Sequence, residues 1–157
     1  MIKETKNPVT TLEYTHDVDA NIEDLWHTFA DFPALMKQLG NDLHTEISGD
    51  GIGMQRIFIS VDPNSGEENR FAERLDHLDA SSRELAYTLT EGHPIGMATY
   101  AAQVRLESID TGRTRIHWLG TFTALPDHAV EDVREQLQGS YAGMSEGLAA
   151  WSRANPC

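Results

Sequence analysis

Cysteine is almost missing: the 157 residues contain one, Cys157, at the last position. A single thiol cannot form a disulfide within the chain, so the sequence predicts a fold held by its core in a reducing, cytoplasmic setting. Long apolar runs are also missing. Nothing approaches the roughly 18 consecutive apolar residues of a membrane span, and Met1-Ile2-Lys3-Glu4 is no signal-peptide core, so no membrane partner is expected. Basic residues are few, 12 Lys and Arg against 25 Asp and Glu, for a net charge of −13. Such a surface repels phosphate groups, which argues against nucleic acid and anionic lipid; the charge reads as solubility.

Several motifs are absent as well. The seven histidines show neither His-x-x-x-His nor His-x-His spacing, so neither a metal nor a cofactor is expected. No Gly-x-Ser-x-Gly elbow occurs, and the one cysteine is terminal, which argues against nucleophilic hydrolysis. Gly49-Asp50-Gly51-Ile52-Gly53 is glycine-rich, but a strand pattern follows it and no Gly-Lys-Ser/Thr is present. It reads as a hairpin turn and not as a phosphate cradle. There is no repeat and no linker, so residues 1–157 form a single domain, with a polar leader at 1–8.

What is present is one long amphipathic stretch. Over 126–151, Val130, Val133, Leu137, Tyr141, Met144, Leu148 and Trp151 recur in steps of three and four. That spacing predicts a helix with one apolar stripe, and Asp127 is placed to cap its start. Before it, residues 9–18 alternate as a strand. Asp19-Ala20-Asn21 then offers caps for a short helix with Ile22, Leu25, Trp26 and Phe29 on one face, and Pro33 opens a second through Leu35, Met36 and Leu39. Six strand patterns follow, at 43–48, 54–61, 69–78, 84–91, 98–109 and 113–124, joined by short turns. The stripe of the long helix must therefore lie on a sheet.

Alternation assigns the buried face. Ile116, Trp118, Gly120, Phe122 and Ala124 share one side of the last strand, Tyr100, Ala102, Val104 and Leu106 one side of the strand before it, and Leu85, Tyr87 and Leu89 one side of the fifth. Small residues among large ones allow a cavity between helix and sheet, and a filled core is equally compatible with the periodicity. Two strands break the apolar rule: Phe71 and Leu75 share a face with Glu73, and Phe58 shares one with Arg56. If those faces point inward, the carboxylate and guanidinium either pair with each other, sit at a wet mouth of the sheet, or line a pocket where acid–base work is feasible. Gly139, Gly143 and Gly147 recur every four residues in the long helix. They read either as a tolerated weak end or as close approach of a second backbone, such as a homodimer partner.

The order of elements resembles the helix-grip fold of the START-like/Bet v 1-like (SRPBCC) superfamily, and more narrowly its polyketide cyclase/dehydrase branch, which also holds the plant abscisic-acid receptors. The resemblance runs from about residue 10 to 151. It is carried by Val18-Asp19-Ala20 leading to Leu25-Trp26, Asp31-Phe32, Gly51-Ile52-Gly53 with Arg56, and Glu73-Arg74-Leu75 with Asp79. Further on it includes Tyr87, Pro94, Tyr100, Trp118-x-Gly120-x-Phe122, and Tyr141 with Gly147-Leu148. It implies an α+β fold, with a curved seven-stranded antiparallel sheet wrapped on the C-terminal helix and an apolar or aromatic small molecule held between them.

By the same resemblance Phe71, Glu73, Tyr87, Leu89 and Tyr100 face the lumen, Lys37 matches a lumen lysine, and the loop at 91–96, with His93, is a lid. Phe58 and Trp118 on the strands, and Val133, Leu137 and Tyr141 on the helix, complete the candidate contacts. Two functions follow. One is a cyclase or dehydratase with Glu73 as acid/base, Tyr100 orienting or protonating the substrate, and Arg56 or Lys37 stabilising an enolate oxygen. The other is a carrier that uses the pocket only for affinity. The receptor branch's full gate and latch motifs are absent, so a hormone-receptor role does not carry over.

Overall fold

The computed structural model describes residues 7–157. The first six positions of the expected leader lie outside the described residues. Asn7 is tied down, its side-chain amide donating to the carbonyls of Leu125 and His128.

The chain runs β1 (Thr10–Val18), α1 (Ile22–Ala30), a 3-10 turn at Phe32–Ala34, and α2 (Leu35–Gln38). Then come β2 (His44–Ser48), β3 (Gln55–Val61), β4 (Glu68–Asp79) and β5 (Glu84–Glu91). After a 3-10 turn at Pro94–Gly96 follow β6 (Met97–Asp110), β7 (Arg113–Ala124) and α3 (Val130–Ala154). The seven strands form one antiparallel sheet in the order β1-β7-β6-β5-β4-β3-β2. This is the helix-grip arrangement that the resemblance implies, and its strands match the alternation patterns closely. No helix among the described residues is long and apolar enough to cross a membrane.

Local chemistry explains the boundaries. Asn21 Oδ1 accepts the Asp24 amide at 2.9 Å, and acidic Glu23 and Asp24 occupy the first turn of α1. Gln38 reaches back from α2 to the Thr28 carbonyl at 2.9 Å, which docks the two short helices together. The start of α3 departs from expectation. It begins at Val130, and its N-cap residue Ala129 makes no side-chain cap. Asp127 contacts His128 Nδ1 instead, at 3.0 Å. The reason is that Leu125 N still donates to Gly96 O, so the chain has to turn before a helix can start.

The sheet curves where its register slips, in β4 between Ala72 and Glu73 and again between Leu75 and His77. The concave face receives α3. Over β7, Trp118 and Tyr141 stack with centroids 4.4 Å apart and rings 13° from parallel. Trp118 Nε1 donates to Ser145 Oγ, and Ser145 Oγ donates to the Tyr141 carbonyl. Gly120 makes this stack feasible, since a Cβ there would lie 2.3 Å from the Tyr141 hydroxyl oxygen. The Trp118-x-Gly120-x-Phe122 pattern is therefore a packing device: the glycine receives the tyrosine.

Candidate functional site

Arg56 and Glu73 are direct partners across the β3–β4 ladder, and both are less than a tenth exposed. Arg56 Nε donates to Glu73 Oε1 at 2.9 Å, and Nη1 donates to the Phe32 carbonyl at 3.1 Å. The guanidinium lies 3.7 Å from the Phe32 ring centre and 5.0 Å from that of Tyr87. A carboxylate, a carbonyl and two aromatic faces thus compensate a cation taken out of water.

This pair lines a cavity of ≈ 660 Å³ between α3 and the β3–β6 part of the sheet. Pairing and pocket lining, two of the alternatives left open by the sequence, are both realised. Phe58, Phe71, Tyr87, Tyr100 and Leu137 join Arg56 and Glu73 in the wall, which is otherwise mostly apolar. Tyr141 stands behind Tyr100, and the hydroxyls of Tyr87, Tyr100 and Tyr141 form a chain with oxygen separations of 3.0 and 2.7 Å. Burial pushes all three phenols above their ordinary value, and the nearby charge of Glu73 pushes the same way. They are proton holders, not bases.

Other candidates lie elsewhere. Lys37 is exposed, with its ammonium 5.9 Å from the Trp151 ring centre, so it is no lumen lysine. Because α2 is a single turn that buries Leu35 and Gln38, Lys37 is left pointing outward while Met36 borders the cavity. His93 is exposed and its Nδ1 contacts the Met97 carbonyl; its neighbours Pro94 and Ile95 border the cavity in its place. Trp118 and Val133 belong to the solid core, one under the Tyr141 ring and the other fully buried. Leu89 is part-buried against that core.

Residues that pattern reading passed over complete the wall. Met36 and Leu39 of the short-helix segment, Ile95 and Met97 beyond β5, and Ser140, Gly143, Met144 and Gly147 of α3 border the cavity. The signal for the last group was the glycine spacing. Nothing lies within 4 Å of where a Gly143 Cβ would be, and this residue is exposed at the cavity's edge. Gly147, by contrast, sits 2.8 Å from Leu39 Cδ2, measured from the position of its absent Cβ. Among the described residues no three His, Cys, Asp or Glu side chains converge as a metal set.

Comparison with known proteins agrees with this architecture. Norcoclaurine synthase from Thalictrum flavum, solved with dopamine and hydroxybenzaldehyde, superposes with a TM-score of 0.72 at 19% identity, covering 96% of this chain and 90% of that one. Ara h 8.0201 gives a TM-score of 0.76 at 20% identity, covering 94% and 100%. The Zhui aromatase/cyclase from Streptomyces sp. R1128 gives 0.67 at 22% identity, covering 93% and 95%. No curated protein matches the sequence. At these identities the structures establish the fold alone. A family model described as polyketide cyclase/dehydrase and lipid transport matches residues 9–152, nearly the whole chain, and the protein belongs to that family.

Proposed function

We propose that the protein binds an apolar or aromatic, polyketide-like small molecule in the cavity between α3 and the sheet. The observation that carries this reading is the wall itself: a largely apolar, half-open cavity of ≈ 660 Å³ with one polar corner, formed by Arg56, Glu73 and the tyrosine hydroxyls. Apolar walls supply affinity, and a few convergent polar groups set orientation. The family and the two synthase or cyclase neighbours support extending this to turnover of the cyclase/dehydratase type.

In that reading Arg56 stabilises a developing enolate oxygen and Tyr100 orients the substrate carbonyl. Glu73 takes or returns a proton, which requires its bond to Arg56 to loosen when substrate enters. A carrier reading has its own support, since Glu73 is already committed to Arg56 at 2.9 Å.

Native mass spectrometry of the purified protein, with extraction and identification of bound compounds, tests the binding reading. A co-purifying apolar or aromatic molecule is expected, and an empty protein that takes up no apolar dye would overturn it. Incubating the recovered compound with wild type and Glu73→Gln then separates the two roles. Turnover lost with binding kept indicates the enzyme, and no turnover by wild type indicates the carrier.

A further inference from the structure

We infer that Tyr87 is the hydrogen-bond donor the cavity presents to its ligand, that Tyr141 orients this proton through Tyr100, and that the ligand feature selected is an acceptor oxygen such as a carbonyl. The inference rests on the cavity-binding reading above and adds to it the donor and the direction.

Three hydroxyls joined by two hydrogen bonds hold three protons, so one proton is left over, at an end of the chain when each hydroxyl donates to the next. The end is decided by the surroundings. Tyr141 is fully buried. Its oxygen is pressed against the β7 backbone so closely that a Cβ on Gly120 would lie 2.3 Å from it. Its one hydrogen-bonding partner among the described residues is Tyr100. A Tyr141 proton turned away from Tyr100 would be a sealed donor with no acceptor, a condition folded proteins avoid. Tyr141 therefore donates to Tyr100; the head-to-tail order, in which Tyr100 accepts once and donates once, is the cooperative one and is preferred to two donations into Tyr100, so Tyr100 donates to Tyr87 and the unspent proton belongs to Tyr87.

Tyr87 lines the cavity, as do Glu73 and Arg56. Burial and the Glu73 charge both keep the Tyr87 phenol protonated, so it acts as a donor throughout the neutral range. Arg56 spends Nε on Glu73 and Nη1 on Phe32, and its Nη2 takes no partner among the described residues. An acceptor oxygen entering this corner meets a phenol O–H beside guanidinium N–H groups. A pure hydrocarbon of the same shape leaves them without a partner. Tyr141 touches no ligand and is a positioning residue.

The test pairs 2-acetylnaphthalene with 2-ethylnaphthalene, which match in shape and differ in the carbonyl. Affinities come from calorimetric titration, and the hydrogen bond is read from the infrared stretch of an isotope-labelled carbonyl on the bound ketone. Wild type is expected to prefer the ketone. Tyr87→Phe should weaken ketone binding roughly tenfold, the upper range for one hydrogen bond, leave the hydrocarbon within about twofold, and move the carbonyl band to higher frequency. Tyr141→Phe should weaken the ketone about threefold and move the band part of the way in the same direction. The band is read at saturation, so a mere loss of stability would not move it.

The inference is overturned if Tyr87→Phe leaves the band where it was, or if Tyr141→Phe moves neither affinity nor band. Equal wild-type affinity for the two compounds would overturn it while leaving the binding reading intact. Failure to bind the hydrocarbon as well would remove both.

Discussion

Where α3 crosses β7, Tyr141 stacks on Trp118 and its hydroxyl occupies the space above Gly120; two residues later, Gly143 of the same helix borders open cavity. The two regions use glycine for opposite ends. Gly120 is filled by a partner's side chain, and the result is a solid core. Gly143 is left unfilled and exposed, at the edge of the space a ligand would enter. A cavity under a helix thus needs no special fold, only side chains withheld on one side and matched on the other. The tyrosine chain crosses the boundary, with Tyr141 anchored in the solid part and Tyr87 facing the hollow one.

The largest loss of stability is expected at high pH. The three buried phenols have folded-state values raised above the unfolded value near 10. Their contribution is complete below that pH. It is lost as pH rises beyond it, because the unfolded chain releases protons that the folded chain keeps. Each phenol removes about 1.4 kcal/mol per pH unit, about 4 kcal/mol for three. Phenolate absorbance from these residues should appear together with loss of the aromatic circular dichroism. Ionisation of all four tyrosines with the fold intact would contradict the packing described here.

Breaking the polar corner comes next. Glu73→Leu leaves the Arg56 cation buried without its carboxylate and should cost about 3 kcal/mol by urea denaturation. Adding Arg56→Met should recover most of that loss. If the double variant is no more stable than the single one, the charge pair is not what holds β3 and β4 together at this point.

In the solid region, Gly120→Ala should cost about 2 kcal/mol by displacing the Tyr141 hydroxyl, with the Trp118 fluorescence changing in step. In the hollow region the sign reverses. Gly143→Ala meets nothing and relieves an entropic penalty, so it should stabilise by about 0.5–1 kcal/mol. A destabilised Gly143→Ala variant would mean that this face of α3 is covered, as the dimer reading requires.

Much of the architecture was legible because periodicity is local. The stripe from Val130 to Trp151 and the alternation of Ile116, Trp118 and Phe122 each follow from backbone geometry alone, and the sheet faces came out accordingly. The site was only partly legible. Arg56, Glu73, Tyr87 and Tyr100 stood out as polar or aromatic residues on inward faces, and they line the cavity. Lys37 and His93 did not follow, because a one-turn helix and a 3-10 turn have no periodicity from which to read direction. Met36 and Ile95 were missed for the same reason.

The amino-acid sequence by itself determined the element order and the face each strand buries, since these depend on neighbours within a few residues. Tertiary structure alone decided that the pair closes at 2.9 Å beside a cavity, that Gly120 is filled while Gly143 is not, and that three tyrosines from β5, β6 and α3 share a line of hydrogen bonds. Those outcomes depend on distances between residues 13 to 41 positions apart. Such distances are set by the curvature of the sheet and the seat of α3 upon it, neither of which any local pattern encodes.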